Sequence, residues 1–168
     1  RSTGQKCTAS SRVIVESQVY DSFKEKLVQE TKKIAVGDGL KDGIWMGPCA
    51  SESQFNTVRK YIEIGKEEGA ALVTGGEVLK GEEFDKGFYV SPAIFENVKP
   101  DMAIAQEEIF GPVIALIEAK DLEEAIEIAN QTKYGLSASI FTTNIGSLLE
   151  FIDEIDAGLV RINAESAG

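Results

Sequence analysis

The segment Pro112-Val113-Ile114-Ala115-Leu116-Ile117-Glu118 is almost unbroken hydrocarbon, with Glu107-Glu108 before it and Lys120-Asp121 after it. It has the length of a strand rather than a helix, and its apolar residues run on instead of alternating. A strand covered on both faces requires that pattern, which is the usual state of a parallel sheet. The residues that follow keep switching period. Asp121 can cap a helix, Glu124 stands three residues on, and Leu122, Ala125, Ile126 and Ala129 form one apolar face. Leu136, Ala138 and Ile140 alternate with other residues, as in a strand. Leu148, Leu149, Ile152 and Ile155 return to helical spacing, with Gly158 placed to end that helix. Leu159 to Asn163 is again strand-like. Strand–helix–strand–helix–strand predicts a parallel sheet with right-handed crossovers.

Upstream the same theme is less tidy. Arg12 to Glu16 suits a strand, and Tyr20, Phe23, Leu27 and Ile34 supply a helical face after it. Lys41 to Pro48 reads as a loop containing glycine. Ser51 with Gln54 can form a capping box, and Phe55, Val58 and Ile62 carry that helix to about Gly69. Ala71 to Thr74 is a short strand. Phe88 to Phe95 looks extended, and Pro92 predicts an edge position or a bulge there. No linker, repeat or low-complexity tract divides residues 1–168, so one α/β domain is expected.

Composition narrows the roles. The 168 residues are 43% hydrophobic and 27% charged, an ordinary globular balance. Seventeen basic against 28 acidic residues leave a net charge of -11, which repels phosphate backbones and anionic lipid. Neither nucleic acid nor membrane is expected as a partner, and no apolar run approaches membrane-spanning length. Two cysteines do not make a disulfide framework in a chain of this size, so a reducing, cytoplasmic setting is expected. Histidine is absent altogether, which excludes a Cys–His pair and a histidine-rich metal site within the chain. The polar start at Arg1, without Met, suggests a piece of something longer.

Two short motifs could carry chemistry. Cys7 lies in Gly4-Gln5-Lys6-Cys7-Thr8-Ala9, just before a strand and with Lys6 and Arg12 nearby in sequence. Cationic or N–H neighbours favour the reactive thiolate, whereas a buried structural thiol is the plainer alternative. Cys49, in the loop after Gly47-Pro48, reads as structural. Glu107-Glu108-Ile109-Phe110-Gly111-Pro112 leads into the apolar strand. A carboxylate and an aromatic ring at such a turn could hold a ribose and a flat heterocycle, or could simply be a solvated acidic turn.

Taken together, the Gly-Gln-Lys-Cys motif and the distant Glu-Glu-Ile-Phe-Gly-Pro-Val motif resemble the aldehyde dehydrogenase superfamily. Tyr20 to Phe23, Gly47-Pro48, Ser53 to Phe55, Thr74 to Gly76, Tyr134 to Leu136 and Ala157 to Asn163 extend that resemblance over the whole chain. The ending Ile162 to Gly168 is similar to α-ketoglutaric semialdehyde dehydrogenases within it. The resemblance implies a three-layer, parallel-sheet α/β catalytic domain over 1–168, without its Rossmann-like cofactor domain or oligomerisation arm. It implies oxidation of a small-molecule aldehyde with NAD or NADP, held mainly by the missing domain, in a homo-oligomer. Cys7 then matches the nucleophile, Glu108 the carboxylate on the nicotinamide ribose, Phe110 the ring near the nicotinamide, and Gln54 a position close to the ribose. Lys6, Thr8, Ala164 and Ser166 match the lining of the substrate funnel, and Asn163 a residue that fixes the backbone there. Basic Lys6 with polar Glu165 and Ser166 suits a polar or carboxylated substrate, such as a dicarboxylic semialdehyde.

The departures from the family pattern carry equal weight. Gly37 to Gly43 has the wrong spacing for a dinucleotide turn. The family's general-base glutamate and oxyanion-hole asparagine have no counterpart here, so the chain alone is expected to be inactive. An acyl-CoA-forming or acyl-reducing relative, and a non-catalytic interaction domain on the same fold, stand as the alternatives.

Overall fold

The structure is a computed structural model that describes residues 2–165. After a 3-10 turn at Ser2–Gly4 come β1 (Arg12–Glu16), α1 (Ser17–Lys32), α2 (Glu52–Glu67), β2 (Ala71–Thr74) and β3 (Ala93–Glu96). They are followed by α3 (Ala103–Gln106), β4 (Val113–Ala119), α4 (Leu122–Asn130), β5 (Ser137–Ile140), α5 (Ile145–Glu154) and β6 (Leu159–Ile162). The apolar run is the centre of the sheet: β4 lies between β1 and β3, parallel to both. Antiparallel β2 completes the order β1-β4-β3-β2.

Alternate β4 residues serve opposite layers, as the two-residue repeat of a strand dictates. Val113, Ala115, Ile117 and Ala119 join Val58 and Ile62 of α2, Ile104 of α3 and Ile128 of α4 in one core. Leu116, with Ile94 and Val15, packs on the other side with Tyr20, Leu27 and Val28 of α1. The result is the expected three-layer sandwich. Burial of Leu116 and Ile117, both essentially inaccessible, contributes about 1.5–3 kcal/mol each.

Several sequence expectations need correction. The C-terminal strands do not extend the main sheet: β5 and β6 pair in parallel with each other as a separate ribbon. Both edges of β4 are already taken by β1 and β3, so no ladder position remains beside it. Gly158 does not end α5. That helix stops at Glu154 because Asn130, at the end of α4, donates to the Glu154 carbonyl (2.7 Å) and accepts from the Asp156 N–H (2.9 Å). Gly158 instead donates to the Gly135 carbonyl. Pro92 is not on an edge, since it immediately precedes the inner strand β3; the register irregularity lies at Leu72 to Thr74 of β2. Ile34 lies beyond the end of α1.

Asp121 and Ser51 do cap α4 and α2, through the N–H groups of Glu124 (3.0 Å) and Gln54 (3.2 Å). The capping box at Ser51 is only half made, however, because the Gln54 side chain is turned to the carbonyls of Ile109 and Phe110. Arg12 is also committed elsewhere. Its guanidinium donates to the carbonyls of Ile128 and Ala129 at 2.9 Å, closing the end of α4, and burial lowers its pKa. It braces a helix end and leaves Lys6 as the basic neighbour of Cys7.

Candidate active site

Cys7 is exposed, on a turn closed by the Ala9 N–H donating to the Lys6 carbonyl at 2.9 Å. The packing role that could have fallen to it belongs to Cys49, which is buried in the core and whose thiol burial pushes up. The turn stands on an unusual base. Ser2, Thr3 and Gly4 all have left-handed backbone, with φ of 55°, 56° and 67°. For Ser and Thr that costs about 1–2 kcal/mol each, and side-chain bonds offset it. The buried Thr3 hydroxyl donates to the Gly47 carbonyl (3.0 Å), and the Gln5 side chain accepts from the Ala50 N–H (2.8 Å) and donates to the Pro48 carbonyl (3.5 Å). The Gly47–Ala50 loop therefore holds the cysteine loop in place. Thr3 and Gln5 were not singled out from sequence, because their partners lie more than forty residues away.

The acidic–aromatic turn follows α3. Ile109 anchors it in the core, while Glu108 and the Phe110 ring are exposed. Phe110 also has left-handed backbone, with φ of 53°. Gln54 supports it directly, its side-chain amide donating to the carbonyls of Ile109 (2.8 Å) and Phe110 (2.9 Å). Both amide hydrogens are thereby used, and only the amide oxygen of Gln54 could meet a ribose hydroxyl. Tyr61, two turns further along α2, donates to the Glu107 carboxylate at 2.5 Å. That bond, more than burial, pushes the Tyr61 phenol up to about 12.

Gly4 joins the two motifs. A β-carbon there would lie 2.1 Å from the Gly111 carbonyl oxygen and 3.2 Å from the Pro112 nitrogen. On its other side Gly111 meets α2, where an added β-carbon would lie 2.3 Å from Cγ2 of Val58. Backbone therefore rests on backbone, three residues from Cys7 and one from Phe110. The loop that carries the exposed thiol thus meets the end of the Glu108–Phe110 turn through backbone at Gly4 and Gly111.

Of the other expected positions, Lys6 is exposed and Thr8 half-buried beside Cys7. Ala164 follows β6, its carbonyl accepting from the Ser139 hydroxyl at 2.9 Å. Asn163, with φ of 50°, exchanges two bonds with the Thr142 backbone (2.9 Å each), in keeping with a backbone-fixing role. Ser166 lies outside the described residues. A concavity of about 470 Å³ lies elsewhere, between α2 and Gly76–Val78, and includes neither Cys7 nor Glu108. Its lining of Asn56, Arg59, Lys60 and Glu63 with Ile62, Gly76 and Val78 brings no cysteine to it, and the exposed thiol makes the Cys7 loop the better candidate site.

The fold is a parallel-dominated α/β sandwich that carries an exposed thiol on a loop packed against an acidic–aromatic turn. The chain belongs to the aldehyde dehydrogenase family, whose model matches residues 1–168. It is 66% identical over its full length to an α-ketoglutaric semialdehyde dehydrogenase of Bacillus subtilis (strain 168), covering 34% of that enzyme. It is 47% identical to an α-ketoglutarate semialdehyde dehydrogenase of Haloferax volcanii, over 99% of this chain and 34% of the relative. Among solved structures, it is similar to betaine aldehyde dehydrogenase of Staphylococcus aureus in complex with NAD+. That match has a TM-score of 0.94 at 33% identity, over 97% of this chain and 32% of the other. The chain thus spans about a third of the length of the relatives it matches.

Proposed function

We propose that residues 1–168 form the catalytic domain of an NAD(P)-dependent aldehyde dehydrogenase that oxidises an aldehyde to a carboxylic acid. The observation that supports this reading is the apposition of Gly4 and Gly111, which brings the loop of the exposed Cys7 against the end of the Glu108–Phe110 turn. Cys7 attacks the aldehyde carbon as thiolate and forms a thiohemiacetal. Its own backbone N–H is one donor to the developing oxyanion. Loss of hydride leaves an acyl thioester on Cys7, and water cleaves that to the acid and returns the thiol.

The residues of the turn fit the nicotinamide end of a dinucleotide. Glu108 offers an exposed carboxylate, an acceptor for ribose hydroxyls, beside an exposed aromatic face at Phe110. When bound there, NAD(P) supplies the hydride acceptor. The remainder of the cofactor, the base that activates water and the second oxyanion donor are assigned to parts of the protein outside this chain. Length supports that division, since the relatives are about three times as long. The 168 residues alone then reduce no NAD(P).

A carboxylated semialdehyde is the proposed substrate. Two relatives carry such a substrate in their names, and exposed Lys6 beside Cys7 suits a distal carboxylate. A homo-oligomer is proposed because Phe141, Ile145 and Leu149 leave an apolar face exposed around α5. A cytoplasmic setting is proposed from the two free thiols.

The test is made on the full-length protein. Cys7→Ser is expected to lower NAD(P)H formation from a semialdehyde by at least about a thousandfold while NAD(P) still binds. Mass spectrometry of the quenched wild-type enzyme should find the acyl group on the peptide holding Cys7. Undiminished turnover by Cys7→Ser would overturn the proposal. Faster turnover of long aliphatic or aromatic aldehydes would overturn the substrate assignment.

A further inference from the structure

Three residues of α2 hold the acidic–aromatic turn from one side. Gln54, Val58 and Tyr61 are spaced i, i+4 and i+7, so they share one face of the helix. Each meets a different part of the turn. Gln54 carries the carbonyls of Ile109 and Phe110, Val58 meets Gly111, and Tyr61 donates to Glu107. Glu107 has extended backbone (φ −116°, ψ 151°), in which successive side chains leave on opposite sides. A Glu107 carboxylate drawn toward α2 by Tyr61 therefore directs Glu108 away from α2. The same bond holds one of two adjacent carboxylates in a fixed place, so that they do not compete for one position.

We propose that Tyr61 is a positioning residue for the cofactor, acting through Glu107 to set the direction of the Glu108 carboxylate. The inference rests on the reading that Glu108 meets the nicotinamide ribose. Tyr61 touches neither cofactor nor substrate in this scheme. Its removal loosens the grip on NAD(P) and leaves the nucleophile as it was.

The experiment uses the full-length protein and measures the dissociation constant for NAD+ by calorimetric titration. It also measures KM for NAD+ and for aldehyde, kcat, and the rate of Cys7 alkylation. Tyr61→Phe and Glu107→Ala are each expected to weaken NAD+ binding about five- to tenfold, and the double variant no more than either alone. Aldehyde KM and Cys7 alkylation should hold within twofold. Glu107→Gln keeps an acceptor for the Tyr61 hydroxyl and is expected to bind NAD+ like the wild type. Unchanged NAD+ affinity in Tyr61→Phe would overturn the proposal, as would a lower melting temperature with affinity intact. If Tyr61→Phe does not fold, equal NAD+ affinity in Glu107→Ala and Glu107→Gln overturns it instead. A wild-type protein that binds no NAD+ would overturn the parent reading of Glu108, a separate outcome.

Discussion

Gly4 and Gly111 touch so closely that a single added carbon on Gly4 would lie 2.1 Å from the Gly111 carbonyl oxygen, well inside any allowed contact. Gly4 also has φ of +67°, a conformation in which glycine alone is at ease. Gly4→Ala therefore strains the backbone and drives the two loops apart. A loss of about 1–3 kcal/mol is expected from overpacking, read from urea denaturation. Where the full-length enzyme folds, a drop in kcat/KM of about a hundredfold should accompany it, because the shift occurs beside the proposed nucleophile. Wild-type stability and turnover in this variant would refute the contact.

The two thiols should separate cleanly by reactivity. Cys7 is exposed, whereas Cys49 is 3% exposed and its thiol is pushed up by burial. At pH 7.5 (about a unit below the ordinary thiol value), iodoacetamide should modify one cysteine per folded chain. Peptide mapping should assign it to Cys7, with Cys49 reacting only after unfolding. Faster labelling of Cys49 would contradict the burial pattern.

Leu116→Ala removes a side chain with no accessible surface from the sheet face under α1. The expected loss is about 2–5 kcal/mol, the range for a large-to-small change in a packed core. Thermal and urea unfolding both measure it. A change under 1 kcal/mol (less than one buried methylene and its cavity) would mean that the α1 layer is not packed as described.

Tyr61 carries a pH signature. Donation to Glu107 holds its phenol protonated, up to about 12. A raised folded-state pKa means stabilisation that is complete below the ordinary phenol value of about 10. It is lost as pH climbs through about 12. Absorbance titration near 295 nm should show a late phenol that disappears in Tyr61→Phe and returns toward the ordinary value in Glu107→Ala. A Tyr61 phenol that ionises at the ordinary value in the folded wild type would show the bond to be absent.

Much of the layer structure was legible in single segments. The unbroken apolar run of Val113 to Ala119, the cap at Asp121 and the strand at Arg12–Glu16 each express a rule that acts within a few residues. The Cys7 and Glu108 motifs likewise pointed to family and chemistry without coordinates. Sequence did not reveal where long-range partners would be spent. Gln54 had a plausible local role in a capping box, but its amide serves carbonyls 55 and 56 residues away. Arg12, adjacent in sequence to the cysteine loop, caps a helix end more than a hundred residues downstream.

What the amino-acid order determined by itself was the alternation of strands and helices and the identity of the two motifs, because period, capping and turn chemistry are local. Only the tertiary structure decided that β5 and β6 pair with each other apart from the main sheet, since strand pairing is a long-range choice that local period does not encode. Tertiary structure also decided that the Cys7 loop meets the end of the Glu108–Phe110 turn, since that depends on two distant glycines allowing their backbones to touch.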